Sequence, residues 1–156
     1  MSGQSVSRRR AGFTLSECAL ALVILGVLAA FGVPRFNQGV ERSKAAEAFA
    51  YGASVRSAQD RYRSHHQTYA TTLADLDIAF AAPRFFAVGP FRPGSSGSIE
   101  GSWSLTLTRT GDSAGYGSYT IVFTQEGFDG VASTLDALPD IDPVVTSRVG
   151  TGGPGR

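Results

Sequence analysis

The stretch that most constrains this chain is residues 12–34, Gly-Phe-Thr-Leu-Ser-Glu-Cys-Ala-Leu-Ala-Leu-Val-Ile-Leu-Gly-Val-Leu-Ala-Ala-Phe-Gly-Val-Pro. From Phe13 onward it holds about 21 residues with a single charge, Glu17; as a helix rising about 1.5 Å per residue, it is long enough to cross a hydrocarbon layer of ~30 Å. Arg8, Arg9 and Arg10 stand just before it. Basic residues beside a span stay on the cytoplasmic side, so everything after Pro34 is expected outside the cytoplasm.

Glu17 is the residue that a plain anchor does not explain. A carboxylate at the centre of a membrane helix costs roughly 2.5 to 3.5 kcal/mol, and less near the end, where Glu17 lies. If the chain were cut between Gly12 and Phe13, a new α-amino group would appear one helical turn before Glu17, at the positive end of the helix dipole. The pair could close within one chain. Alternatively, Glu17 could meet the amine of a neighbouring chain packed slightly out of step, which is a device for assembly.

The string Gly12-Phe13-Thr14-Leu15-Ser16-Glu17, followed by an apolar helix ending in Gly32-Val33-Pro34, resembles the N-terminus of type IV pilins and of the related type II secretion pseudopilins. The resemblance implies a leader of residues 1–12 removed by a prepilin peptidase, methylation of the new amine of Phe13, an assembly role for Glu17 and a helix kink at Pro34. It also implies the partners: copies of the same chain or other pilins, the peptidase, and the inner-membrane assembly machinery. Before assembly the chain would span the inner membrane once; afterwards it would lie in a periplasmic or cell-surface filament. Ser16 and Cys18 depart from the pattern, since most members are apolar there. A pseudopilin of type II secretion is the alternative within this class. A different class also stays open, an exported binding protein whose signal peptide is cut before Ala30, after Val27-Leu28-Ala29.

Composition adds two constraints. Cys18 is the only cysteine, so the exported part contains no disulfide. Removing Arg8, Arg9 and Arg10 leaves eleven basic side chains against thirteen acidic ones, a balance of −2. The charges are segregated: residues 35–92 carry eight basic and five acidic groups, residues 100–156 three basic and seven acidic. Such a subunit suits head-to-tail packing, and a mixed solvated surface accounts for the same charges equally well.

After Pro34 the pattern turns amphipathic. Phe36, Val40, Phe49, Gly52 or Ala53, Val55, Gln59 and Tyr62 recur at three to four residues, with Arg35, Glu41, Arg42, Glu47, Arg56, Asp60, Arg61 and Arg63 on the other faces. This predicts one helix over residues 15–64. His65 and His66 then fall in a loop, without metal-ligand spacing, and Thr72 with Asp75 has the register of a capping box. From Pro83 the period becomes two: residues 84–88, 103–108 and 119–123 read as strands, joined by glycine- and serine-rich loops. The expected architecture is α+β, a long N-terminal helix packed against a small antiparallel sheet. It divides into residues 1–12 (leader), 13–34 (membrane or filament-core helix), 35–149 (head, with helix 35–64, loop and short helix 65–82, sheet 83–128 and C-terminal loops) and 150–156 (disordered tail).

The C-terminal region carries Asp129, Asp136, Asp140 and Asp142. Some pseudopilins bind calcium near their C-terminus, but this spacing matches no calcium loop, so no cofactor is expected. No catalytic constellation, zinc spacing or basic stripe with aromatics is present, which points away from an enzyme and from nucleic-acid binding.

Overall fold

The computed structural model describes residues 12–111, 116–135, 138 and 141. The leader up to Ala11, the tail 150–156, Asp136, Asp140 and Asp142 lie outside the described residues. One helix, α1 (Leu15–His66), contains Pro34 and extends two residues past the expected stop. Its end is set by Gln67, which adopts φ 63° and bonds its N–H to the Arg63 carbonyl at 2.8 Å. A left-handed residue terminates a helix, but glutamine in that role is not a readable stop signal. The histidines expected in a loop are therefore helical, with His66 stacked on Tyr62 at 4.0 Å.

By its contacts the chain falls into two units, one ending at Phe36 and the other starting at Asn37. In the second unit α1 buries Glu41, Ala45, Ala48, Tyr51, Gly52, Val55, Ala58 and Gln59, one face by spacing. This corrects the expected stripe. Phe36 and Val40 are exposed, while Glu41, assigned to the polar side, is fully buried. The reason is close approach: a Cβ on Gly52 would lie 2.3 Å from the Phe123 ring, so much of the face against the sheet must be small.

The sheet has five antiparallel strands, β1 (Phe86–Val88), β2 (Arg92–Pro93), β3 (Trp103–Arg109), β4 (Thr120–Thr124) and β5 (Gly127–Asp129). Their order is β1-β3-β4-β5, with β2 pairing β3 as well. Val88 lies opposite Leu107, Leu105 opposite Phe123, and Phe123 opposite Phe128. Along β3 the residues Trp103, Leu105, Leu107 and Arg109 are buried, while Ser104, Thr106 and Thr108 are only partly so. Two layers result, with the α1 face and the inner sheet face enclosing one core, closed at its rim by Tyr69, Phe86, Phe91, Leu135 and Ile141. After β5 the chain returns along β4. There the Ser133 hydroxyl accepts the Val122 N–H at 2.9 Å, the Thr134 hydroxyl accepts the Thr120 N–H at 2.8 Å, and the Thr120 carbonyl accepts the Thr134 N–H at 3.1 Å.

Three local expectations shift. The first strand begins at Phe86 rather than Arg84, because the Arg84 N–H is turned to the Glu47 carboxylate on α1 at 3.0 Å. β2 and β5 were not expected as strands: one is two residues long with a proline, the other three with a glycine. At Thr72 no capping box forms; the hydroxyl donates to the Asp75 carboxylate at 2.7 Å and a single 3-10 turn, Leu73–Asp75, follows.

Candidate processing and assembly site

Gly12, Phe13 and Thr14 precede the first turn of α1 in non-helical backbone. Among the described residues a Cβ on Gly12 would meet nothing within 4 Å, so no contact with them calls for glycine there. Thr14 is the residue before the helix and Glu17 its third helical position. The Glu17 Oε2 atom accepts the Thr14 backbone N–H at 2.8 Å and the Thr14 hydroxyl at 2.8 Å, while Thr14 Oγ1 accepts the Glu17 N–H at 3.3 Å. This is a reciprocal capping box, which satisfies two of the N–H groups that a helix start leaves without partners. The signal was legible as Thr-x-x-Glu at positions 14–17, but the sequence reading assigned Glu17 only to an amine. In this chain the carboxylate thus has a local partner before any cleavage.

Beyond the cap the helix presents an apolar surface all round. Every large apolar side chain from Phe13 to Phe36 is at least 51% exposed. Cys18 is exposed too, and Pro34 lies within the helix, which continues past it to His66. By length and composition this segment can cross a membrane.

A second polar constellation lies inside the head, and sequence reasoning missed it. Glu41 is fully buried on α1; Arg109 and Tyr119, 5% and 3% exposed, come from the end of β3 and the residue before β4. Arg109 Nε donates to Glu41 Oε1 at 2.6 Å and Nη2 to Oε2 at 3.2 Å, a two-point pairing of the planar guanidinium. Tyr119 Oη donates to Glu41 Oε1 at 3.0 Å, and Lys44 Nζ reaches Oε2 at 3.2 Å. Arg109 Nη1 also donates to the carbonyls of Phe85 and Thr110. The hydrogen bond to Glu41 pushes the Arg109 guanidinium further up, against burial. Burial, followed by the bond to Glu41, pushes the Tyr119 phenol well above its ordinary 10.0. The available signal was the alternation of β3: residues 103, 105 and 107 face inward, so 109 does too.

The other candidates fall apart. Asp129 accepts the N–H groups of Val131 and Ala132 at 3.0 Å each, closing a turn. Among the described residues no group of three or more His, Cys, Asp or Glu side chains is placed to hold a metal ion.

Residues 7–33 match the family model for the prokaryotic N-terminal methylation motif. The chain is 35% identical over 108 residues to the type IV major fimbrial protein FimA of Dichelobacter nodosus, covering 67% of this chain and 61% of that protein. It is also similar to the type II secretion system core protein G of Aeromonas hydrophila, 34% identical over 76 residues, 49% of this chain and 53% of that protein. The motif and these fimbrial and secretion relatives support the type IV pilin and pseudopilin family. The core protein G of Pectobacterium carotovorum subsp. carotovorum is 37% identical over 81 residues, 52% and 51% of the two chains. The chain spans between half and about three fifths of the length of these relatives. No solved structure matches it. The helix-and-sheet arrangement is the pilin-like α+β fold that the sequence predicted.

Proposed function

We propose that the chain is a structural subunit of a type IV pilus-like filament, cleaved after Gly12, methylated on Phe13 and assembled through α1. The observation that carries this reading is the helix surface of residues 13–34, apolar on all sides and exposed throughout, with Glu17 as its only charge. Such a surface needs lipid first and neighbouring helices afterwards. The lack of any contact at the Gly12 Cβ position supports a demand for glycine from outside the chain, namely a peptidase pocket. The basic leader supports a cytoplasmic N-terminus, with the head outside, at the inner membrane and then in the filament. Copies of this chain, other pilins, the prepilin peptidase and membrane assembly proteins are the partners.

Intact mass of the native protein tests the first step: a start at Phe13 with a methylated amine is expected, and a start at Ala30 would sink it. Gly12→Val should stop processing. Glu17→Ala should be inserted and cleaved yet give few filaments by electron microscopy; normal filaments would remove the assembly role. The relatives named core protein G favour a second reading, a pseudopilin of type II secretion. Loss of exported enzymes, rather than of surface fibres, on deleting the gene would select it.

A further inference from the structure

Along α1 the head begins abruptly. Gln38, Gly39 and Val40 are exposed, and Glu41, the next residue, is fully buried in a cluster of charge-assisted bonds. That cluster reaches three parts of the sheet at once: Arg109 ends β3, donates to the Phe85 carbonyl ahead of β1, and bonds its own N–H to the Tyr119 carbonyl ahead of β4 at 2.8 Å. Further along, the helix face is mostly short side chains, Ala45, Ala48, Gly52, Val55 and Ala58. Between Glu41 and Gln59 the helix is held by apolar packing, with Phe49 edge-on against Phe123 and Phe128, and by exposed bonds from Arg56 to the Gln125 carbonyl and from the Arg84 N–H to Glu47. The next buried polar tie is Gln59, whose side-chain amide bonds Ala70 in both directions, at 3.0 and 2.8 Å.

We infer that the Glu41–Arg109–Tyr119 cluster is a shear clamp, the point at which tension along α1 is passed into the sheet. Tension drawn through the N-terminal part of α1 meets the head first at Glu41. Because helix and sheet are stacked layers, that tension runs parallel to their interface and loads the bonds between Glu41, Arg109 and Tyr119 together rather than one by one. A buried ion pair is a poor way to gain equilibrium stability, since an apolar trio of similar volume does as well. As a directional tie under load it has no apolar substitute. The inference stands whether or not the filament reading holds, because it concerns how this head is fixed to its helix; the filament reading supplies a source of tension.

Force spectroscopy on the full chain in detergent micelles tests it. Handles are attached at Gln38→Cys and Val131→Cys, both exposed positions, in a Cys18→Ser background. Glu41→Gln is compared with a core variant, Val55→Ala or Leu105→Ala, chosen to lose the same stability to denaturant. The expected result is a marked loss of rupture force for Glu41→Gln alone; equal losses at equal stability would overturn the clamp. Tyr119→Phe removes a single bond to Glu41 and gives a second measure should Glu41→Gln fail to fold. A smaller loss of force than in Glu41→Gln, but larger than in its own stability-matched control, supports the clamp, and none refutes it.

Discussion

The two halves of α1 share one backbone conformation for opposite reasons. Up to Phe36 the helix carries many large apolar residues, all exposed, and nothing among the described residues covers them. From Glu41 on, the helix buries a face of alanines, a glycine and a valine, together with Tyr51, Glu41 and Gln59. Side-chain size therefore does not report which half is in a core. The first half can be bulky because no close-packed layer among the described residues limits its side chains. The second is mostly small because a rigid sheet lies close against it, and interiors at crystal-like density admit only what fits.

The sharpest way to break that contrast is Arg109→Ala. It would leave the Glu41 carboxylate buried beside fewer donors, and the head should lose about 3 to 5 kcal/mol, measured by chemical denaturation of the full chain in detergent. A loss below 1 kcal/mol would mean that water reaches Glu41. Next comes Gly52→Ala, whose new Cβ would fall on the Phe123 ring; overpacking of this kind costs about 1 to 3 kcal/mol, and an unchanged midpoint would show that helix and sheet separate easily.

Alkaline pH should act more gently. The Tyr119 phenol is held above its ordinary 10.0, so the folded chain keeps a proton that the unfolded chain releases. The stability from this group is complete below pH 10 and falls as pH rises beyond it, with a slope approaching about 1.4 kcal/mol per pH unit. Tyr119→Phe should flatten that part of the profile, though Tyr51, also raised by burial, leaves a residue of it. The smallest effect is expected from Leu25→Ala in the exposed half, which should move head unfolding by less than about 0.5 kcal/mol. A larger shift would show that the two halves of the helix do not respond separately.

Much of this could be read in the sequence, where the signal was local. The apolar run and the alternation of residues 103–108 both depend on near neighbours. Glu41 could not be read that way: its partner Arg109 lies 68 residues on, and a carboxylate amid Arg42 and Lys44 reads as a solvated turn. Phe36 and Val40 misled for the converse reason, being bulky residues at helical spacing that the sheet never reaches. The short strands β2 and β5 exist because β3 and β4 offer edges to pair with, not because their own residues favour extension. The cap formed by Thr14 was visible but overlooked, because Glu17 already had an explanation.

The hydroxyls of Ser133 and Thr134 on the border of β4 matter most at high local concentration. An open row of backbone groups on a sheet border invites a second sheet to join it, and that growth is hard to reverse. Here side-chain oxygens occupy the N–H groups of Thr120 and Val122 that such growth would use. A subunit of the filament proposed above would have to restrict where it polymerises. By closing this border while leaving residues 13–36 exposed, the chain would direct such association to its helix and not to its sheet.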